Sequence, residues 1–482
     1  MKILKALVLT LLSLCLIATP FLAVACAAVL LPPQYSETFV GALDEKYERL
    51  TSIDGEKIVV VGGSSVAFGV DSELLSRYTG MPVVNFGLYA ALGTKLMLDL
   101  SLPHIGEGDV VIVSPELDPQ TLSLYFNADT TLKALDDNWA MAQHLNSGDL
   151  PATVGALWRF LQDKISRIND PSVTDEGVYL SRYFDENGDY DYPREYNVMP
   201  IHYDPNTPIN LVPEALGEDF IAFADYLNDY IAAAEKLGAT VYFSLPPMNE
   251  LALTEGARAE GVAEEYIELL SSYLDCEIID DLSTALMGAG YFFDTNYHVN
   301  ETGRTFRTLK LAENIRLYHG ITAGVIDTAL PTEPTIPGAD FIFEGEDENA
   351  KYFTYRQDKT NKYYVIIGLS EEGKKQKELT LPLGYLGYKV ISVDRAAFSG
   401  GALEKLTVTA DSNISSFATG AFEGASTLTD LWIYKTAGND VMPPADFIGV
   451  SPSFKVHVPL GSDFTNHYYW SERGLTFVTD AG

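Results

Sequence analysis

Short apolar runs rich in β-branched residues alternate with helical patterns between residues 56 and 318, and this alternation restricts the fold more than any other feature. Such runs occupy residues 58–61, 110–113 and 240–243. Strands that are apolar on both faces are typical of a parallel sheet that helices cover on each side. The sequence therefore predicts an α/β domain with three α/β/α layers.

A pair of serines follows the first of these strands. Gly63-Ser64-Ser65 comes directly after the apolar run 58–61 and Gly62. Ligand sites of parallel sheets lie at the carboxyl ends of the strands, so a serine here is expected at the mouth of the sheet. Because a serine hydroxyl is a poor nucleophile until a base takes its proton, the turn indicates catalysis only if a base lies near it.

A carboxylate and a base occur together just before the last helical pattern. Asp294 and His298 are close enough in the chain for the carboxylate to hold one imidazole nitrogen while the other nitrogen faces a serine. Acyl transfer by a serine enzyme requires this arrangement. The two motifs together favour a serine hydrolase over two unrelated turns.

Residues 57–318 resemble the SGNH (GDSL-type) hydrolase superfamily. That family carries its nucleophile in a Gly-Asp-Ser block after the first strand, and Gly63-Ser64-Ser65 matches it with serine in place of the aspartate. The resemblance implies an SGNH/flavodoxin-like fold with Ser65 as the nucleophile. It also implies His298 as the base and Asp294 as its orienter, although the last block of the family, Asp-x2-His, is one residue shorter than the spacing here.

The same resemblance implies where the oxyanion is held. Asn85-Phe86-Gly87 matches the second block of the family, whose glycine N–H lines the oxyanion hole, so the N–H groups of Gly87 and Ser65 are the expected donors. The third block departs from the family pattern of Gly-x-Asn-Asp, because this chain has Ser114-Pro115-Glu116 there. A carboxylate near a developing oxyanion opposes it, and losing one donor typically costs ~10²–10³ in rate.

Five further residues are possible neighbours of the active site, and three of them (Ser64, Ser114 and Asn249) are possible substitutes for the missing donor. The five are Ser64, Asn85, Ser114, Glu116 and Asn249. We expect no organic cofactor and no metal, because an acyl-enzyme mechanism needs neither and the other histidines show no ligand spacing.

An uncharged run of 26 residues, 6–31, follows Lys2 and Lys5. It exceeds the ~20 residues that span a bilayer, so it predicts a single membrane anchor. The lysines place the N-terminus inside and the rest of the chain outside the cell. Two alternatives remain: a cleaved signal at Ala23-Val24-Ala25, and a lipoprotein box at residues 22–26 with its leucine one place too far from Cys26.

The C-terminal part of the chain shows a repeated sequence pattern in place of the alternating strands and helices. Ala397-Phe398-Ser399-Gly400 recurs as Ala421-Phe422-Glu423-Gly424, and each is followed by paired leucines. This repeat is typical of leucine-rich repeats and resembles the BspA type of bacterial surface proteins. Two units are clear, whereas about three are needed to bury a continuous core.

The expected organisation has five segments. They are a membrane anchor or signal peptide (1–31), a juxtamembrane stalk (32–55), an SGNH hydrolase-like domain (56–322) with an insertion at about 121–213, a proline-rich linker (323–342) and a leucine-rich repeat-like domain (343–482).

The net charge of −35 excludes nucleic-acid binding by charge, since it repels a phosphate backbone. With three cysteines, two of them in the N-terminal run, no intrachain disulfide is expected outside that run.

Two functions remain open. The first is an extracellular, membrane-tethered serine esterase or O-acyltransferase that acts on acylated glycans, wall polymers or lipids of a bacterial envelope. The second is a catalytically degenerate SGNH scaffold that binds surface ligands through its repeats. The missing third-block asparagine favours the second, and the joint presence of Ser65, Gly87, Asp294 and His298 favours the first.

Overall fold

The computed structural model describes residue 19 and residues 23–170, 175, 177–199, 201–322, 325–336, 341–358, 363–471 and 473–480. The chain divides into two compact units. The first unit comprises Met1–Asn197 and Ile209–Pro334, and the second comprises Val198–Pro208 and Thr335–Gly482. The second unit thus includes residues 198–208 of the predicted insertion.

The first unit contains helices and strands in alternation. Its α-helices are α1 (23–30), α2 (Leu43–Ser52), α3 (Ser64–Gly69), α4 (Ser72–Thr79), α5 (Thr94–Ser101), α6 (Ala128–Ala134), α7 (Leu150–Asn169), α8 (Glu218–Lys236), α9 (Val262–Ser272), α10 (Leu282–Ala285) and α11 (Glu301–Tyr318). Its strands are β1 (Ile58–Gly62), β2 (Val83–Gly87), β3 (Val110–Ser114), β4 (Thr240–Phe243), β5 (Met248–Asn249) and β6 (Leu286–Met287). Short 3₁₀ helices lie at Phe39–Ala42, Ala90–Leu92, Leu102–His104, Trp139–His144, Ser181–Tyr183, Pro213–Ala215, Glu250–Ala252 and Ala289–Tyr291.

Four parallel strands form the central sheet in the order β2-β1-β3-β4. Leucines of α4 and α11 pack on Ile58 and Val110 of one face. The alternate residues Val59 and Val61 are also fully buried, and α5 and α8 pack against β1 and β4. The predicted α/β class with a parallel sheet between helical layers is confirmed.

The predicted juxtamembrane stalk, residues 32–55, is instead folded into the first unit. It forms the 3₁₀ helix Phe39–Ala42 and α2, and α2 packs against β2. Leu43 and Leu50 of α2 are at most 1 % exposed. A segment that buries such side chains does not extend as a spacer. Its two helices are too short to show a clear apolar period in the sequence.

Part of the predicted linker (323–342), around Pro331 and Glu333, also packs on the first unit. The hydroxyl of Tyr291 donates to the carbonyl of Pro331 at 2.9 Å, and the N–H of Gly290 donates to Glu333 Oε1 at 2.7 Å. Proline-rich composition indicated a free connection, but an extended chain without helical period can equally lie bound along a surface.

The predicted membrane span lies largely outside the described residues. Of residues 6–31, the structure describes residue 19 and residues 23–31. Within the described part of the chain, no helix has both the length and the apolarity that crossing a membrane requires. Ala28 in α1 is fully buried, and its carbonyl accepts a hydrogen bond from Lys164 Nζ at 3.0 Å.

The second unit consists mainly of short strands. They are β7 (Phe353–Gln357), β8 (Tyr364–Leu369), β9 (Glu378–Thr380), β10 (Gly384–Tyr385), β11 (Tyr388–Val393), β12 (Lys405–Val408), β13 (Ser416–Phe417), β14 (Asp430–Ile433), β15 (Lys455–Pro459) and β16 (Phe477–Asp480), with the helix α12 (Tyr468–Ser471) and 3₁₀ helices at Glu348–Tyr352, Gly373–Lys375 and Gly438–Asp440. One sheet has the order β10-β11-β8-β7, with β13 paired to β11.

The other sheet is parallel, in the order β16-β15-β14-β12-β9, and it contains the repeats. Leu406 pairs in register with Leu431, which pairs with Val456. Beside this ladder, the ring of Phe422 stacks on Phe398 at 5.5 Å and on Phe447 at 5.2 Å. A third repeat therefore begins near Phe447, where the paired-leucine pattern is lost, and the stack buries a continuous core.

A buried ion pair fastens α7 to the start of the first unit. The side chains of Lys164 and Asp136 are both 0 % exposed, and Asp136 also accepts from the N–H of Gln34 at 2.7 Å. Because breaking such a pair leaves an uncompensated buried charge, Lys164→Met is expected to lower the free energy of unfolding by about 3–5 kcal/mol. Denaturant unfolding of residues 23–482 measures this loss.

Arg159→Met on the same helix is the matched control. Arg159 Nε lies 2.9 Å from Asp129 Oδ1, and the Arg159 side chain is 65 % exposed. Exposed pairs contribute about 1 kcal/mol or less. Equal losses in the two variants would contradict the role given to Lys164.

Candidate active site

Three strands end level with one another at one edge of the central sheet. Gly62 of β1 lies opposite Gly87 of β2 on one side and Ser114 of β3 on the other. A Cβ atom on Gly62 would lie 2.4 Å from the carbonyl oxygen of Ser114, so only glycine fits this strand end. The chain turns at Gly63, and α3 begins at Ser64.

A chain of hydrogen bonds joins Ser64 to a histidine and an aspartate. Ser64 Oγ lies 2.7 Å from His298 Nε2. His298 Nδ1 lies 2.9 Å from Asp294 Oδ1. The Ser64 residue and the side chains of His298 and Asp294 are between 7 and 11 % exposed, which leaves little water to compete for these bonds.

The turn before α11 fixes the orientation of the imidazole. The N–H of His298 donates to Thr295 Oγ1 at 2.9 Å, and its carbonyl accepts from the N–H of Phe293 at 2.8 Å. The ring stacks on Phe68 of α3, with centroids 4.0 Å apart and planes 9° apart. The backbone hydrogen bonds of His298 and the stacking of its ring on Phe68 together hold the imidazole in one orientation.

The serine opposite His298 is Ser64, not Ser65, which corrects the assignment made from sequence. Consecutive residues of a helix point about 100° apart, since 3.6 residues complete a turn. Only one of the two serines at the start of α3 can face the imidazole. Ser65 is 1 % exposed, and its N–H donates to Glu116 Oε1 at 2.8 Å.

Tyr179 is a member of the site that the sequence analysis missed. Its hydroxyl donates to Asp294 Oδ2 at 2.6 Å and lies 3.3 Å from His298 Nδ1. It lies in the predicted insertion, 115 residues from Asp294 in the chain. No local pattern marks it, because the insertion is rich in tyrosine and has no clear helical or strand period around it.

Glu116 lies beside the Ser64 turn and is 3 % exposed. Its Oε1 accepts from the Ser65 N–H and lies 3.5 Å from Ser64 Oγ. Burial raises the pKa of the Glu116 carboxyl above its ordinary value, and the charge of Asp118 raises it further. Glu116 is among the predicted neighbours of the active site, where its carboxylate is expected to oppose an oxyanion; here it accepts a backbone hydrogen bond.

The two expected oxyanion donors both have acceptors within the protein. The Ser65 N–H is bonded to Glu116, and the Gly87 N–H donates to Asn85 Oδ1 at 3.3 Å. Gly87 is nevertheless required where it lies, because a Cβ atom there would be 2.7 Å from the carbonyl oxygen of Gly63. Its role in the structure is to let the turn approach β2.

The remaining predicted neighbours, Asn85, Ser114 and Asn249, are buried. The Asn85 amide nitrogen donates to the carbonyl of Val66 in α3 at 3.1 Å, so Asn85 ties that helix to β2. Ser114 ends β3 opposite Gly62. Asn249 Oδ1 accepts from the N–H of Leu251 at 3.1 Å and caps the 3₁₀ helix Glu250–Ala252.

A buried polar network from the insertion supports Asn85. The Asn85 amide nitrogen donates to Asp189 Oδ1 at 2.9 Å, and Asp189 also accepts from Ser72. Lys46 Nζ donates to the carbonyls of Asn85 and Gly188. Burial lowers the pKa of Lys46 and raises that of Asp189. In the described part of the chain, no group of three or more His, Cys, Asp or Glu side chains is placed to hold a metal ion.

Comparison with known proteins gives distant likeness. No protein-family model matches the sequence, and no curated protein matches it. Among solved structures, protein YxiM of Bacillus subtilis is 13 % identical with a TM-score of 0.28, and the match covers 56 % of this chain and 59 % of YxiM. The leucine-rich repeat protein TpLRR of T. pallidum is 15 % identical with a TM-score of 0.16, over 23 % of this chain and 70 % of TpLRR.

Because the pKa of Glu116 is raised, the stability of the folded protein is expected to depend on pH. The folded protein binds this proton more tightly than the unfolded chain, so the stability that Glu116 contributes is greatest at low pH and falls as the pH rises upward from about 4.5. Glu116→Gln removes this titration. Its melting temperature relative to the wild type is therefore expected to rise between about pH 4 and about pH 7. Thermal unfolding of both proteins measures the difference, and a constant or falling difference would contradict it.

Proposed function

We propose that the first unit is a serine esterase or O-acyltransferase of the SGNH type, with Ser64 as its nucleophile. The observation that carries the proposal is the hydrogen bond of 2.7 Å between Ser64 Oγ and His298 Nε2. The base is itself oriented by Asp294, which completes the nucleophile, base and orienter that acyl transfer uses. All three groups lie beside the carboxyl end of β1, where parallel sheets bind their ligands.

The mechanism has two halves. Ser64 Oγ attacks the carbonyl carbon of an ester, and His298 Nε2 takes the hydroxyl proton. The tetrahedral intermediate collapses, the alcohol leaves with the proton from His298, and an acyl-Ser64 remains. An acceptor hydroxyl then gives its proton to His298 Nε2 and attacks the acyl carbon. The second tetrahedral intermediate collapses, the bond between the acyl carbon and Ser64 Oγ breaks, and His298 returns the proton to Ser64 Oγ. Water as acceptor gives hydrolysis, and a glycan or polymer hydroxyl gives transfer.

The oxyanion requires donors other than the two first expected. Ser64 is the first residue of α3, and the first N–H groups of a helix have no acceptor within the helix. We assign the N–H of Ser64 to the oxyanion, because it is carried by the same residue that makes the covalent bond. The N–H groups of Gly87 and Ser65 would join it only if their present hydrogen bonds opened.

The proposal also covers the class of substrate and the location of the protein in the cell. We propose acylated glycans, wall polymers or lipids of the cell envelope as substrates, from the resemblance of the sequence to SGNH hydrolases. The uncharged run of residues 6–31 supports a single-pass anchor with an extracellular body, and a cleaved signal is the alternative. The repeats of the second unit would then bind a surface ligand or space the enzyme.

The nucleophile is tested by labelling with a fluorophosphonate, which reacts with an activated serine. The wild-type chain is expected to label at Ser64. Ser64→Ala and His298→Ala are expected to lower labelling by at least about 10³-fold, because the nucleophile and base act as a unit. Ser65→Ala is the matched control, since it removes the adjacent hydroxyl and keeps the backbone N–H; mass spectrometry of the labelled peptide identifies the residue.

Two results would contradict the proposal. Labelling that Ser65→Ala abolishes and Ser64→Ala leaves intact would return the nucleophile to Ser65. A well-folded wild type that does not label would mean that Ser64 is not activated. The alternative of a surface-binding protein that acts through its repeats would then be favoured.

Tyr179→Phe tests the contact that the insertion makes with the triad. Loss of the Tyr179 hydroxyl removes a hydrogen bond to Asp294 Oδ2, so the carboxylate holds His298 less firmly. The labelling rate is expected to fall about 3- to 10-fold, in keeping with the ~0.5–1.5 kcal/mol that a typical hydrogen bond contributes. Tyr183→Phe, on a tyrosine of the same region that packs against Tyr192, is the control and should leave the rate unchanged.

A further inference from the structure

The turn that carries Ser64 lacks a side chain where one is usual. Gly63 is the residue before α3, and it has no side chain to accept an N–H of the first helical turn. Serine, threonine, aspartate and asparagine are favoured at this position because their side-chain oxygen accepts such an N–H. In this chain, the acceptor for the Ser65 N–H is Glu116 Oε1, at 2.8 Å.

Residue 63 is glycine because there is no room for a Cβ atom at this position, and not because its backbone conformation requires glycine. Gly63 has φ −89° and ψ −150°, which lies in the extended region open to other residues. A Cβ atom at this position would lie 2.2 Å from Glu116 Oε2 and 2.6 Å from Oε1. The Glu116 carboxyl therefore occupies the space that a side chain at position 63 would take.

The loop after β3 holds Glu116 in this space. The hydroxyl of Thr121 donates to the carbonyl of Glu116. The carboxylate of Asp118 accepts the N–H groups of Gln120 at 2.8 Å and Thr121 at 3.1 Å. Since Glu116 is 3 % exposed, its carboxyl has little room to leave the turn.

We propose that Glu116 is a positioning residue, which caps the Ser64 turn from the loop after β3 and so keeps the Ser64 hydroxyl in line with His298. The inference rests on the proposed function of Ser64. Glu116 acts through the Ser65 N–H and through its contact with Gly63. The turn requires an acceptor oxygen for the Ser65 N–H. A glutamine at position 116 or an aspartate at position 63 can supply this oxygen.

The test compares labelling rates of the full chain in detergent, with a fluorophosphonate as the probe. Glu116→Ala is expected to slow labelling by about tenfold or more, because the turn loses its cap. Glu116→Gln keeps the acceptor oxygen and is expected to stay within about threefold of the wild type. Gly63→Asp alone is expected to be slow, since its Cβ meets the Glu116 carboxyl.

The decisive variant combines Gly63→Asp with Glu116→Ala. It moves the carboxyl from the loop to the position before α3 and removes the overlap. We expect it to label faster than either single variant, which a merely structural role of Glu116 in its own loop does not predict. Gln120→Ala is the matched control: it shortens a side chain of the same loop, keeps the backbone N–H that Asp118 accepts, and should label like the wild type.

The outcomes separate this inference from the proposed function. If the wild type labels and Glu116→Ala labels equally fast, the positioning role is overturned while the function stands. It is also overturned if the double variant folds, by its melting temperature, but stays as slow as Glu116→Ala, or if Gln120→Ala is slowed as much. A folded wild type that does not label overturns the proposed function and, with it, the positioning of a nucleophile.

Discussion

Close approach of backbone at the carboxyl edge of the sheet is the constraint on which the site depends. β1 ends at Gly62 with a carbonyl oxygen of β3 directly beside it. At Gly87, a Cβ atom would lie 2.4 Å from the Cβ of Val66, so α3 can begin against β2 only because that residue is glycine. These two glycines bring the first turn of α3 between the ends of β2 and β3, the strands on either side of β1, where groups from both sides reach it.

Parts of the chain that lie far apart then converge on this one turn. β2 holds α3 through Asn85, the loop after β3 reaches it through Glu116, and the turn before α11 brings His298. The insertion adds Tyr179 and the buried Asp189. Because most of these contacts join buried polar groups, each partner is needed to avoid an unsatisfied donor or acceptor in the interior. The site is thus specified by the whole unit and not by its motifs alone.

How much of this unit the sequence predicts depends on whether the residues that form each signal lie within one short stretch of the chain. The parallel sheet was predictable because its strands are continuous apolar runs. Asp294 and His298 were recognisable because a stretch of five residues contains both. The choice between Ser64 and Ser65 was not predictable, because it depends on the residue at which α3 begins, and a shift of one residue turns the side chain away.

Long-range contacts account for what the sequence analysis missed. Tyr179 is 115 residues from Asp294, and Glu116 is 51 residues from Ser65. Neither pair has a spacing that a motif could record. Glu116 was interpreted as a carboxylate that opposes an oxyanion, since only its place after β3 was visible. The segment 32–55 was interpreted as a stalk, because its apolar residues fall in two short helices that show no sustained period.

The burial of Ala28 bears on how far the folded body could reach from a membrane. Ala28 belongs to the uncharged run, yet it is packed within the first unit and bonded to Lys164. If the residues before it cross a bilayer, the folded body begins at the membrane surface with no tether between them. Without a flexible linker, such a body cannot move away from the membrane surface, and the end of the anchor would set its orientation. Only polymers or lipids that pass close to that surface would come within its range.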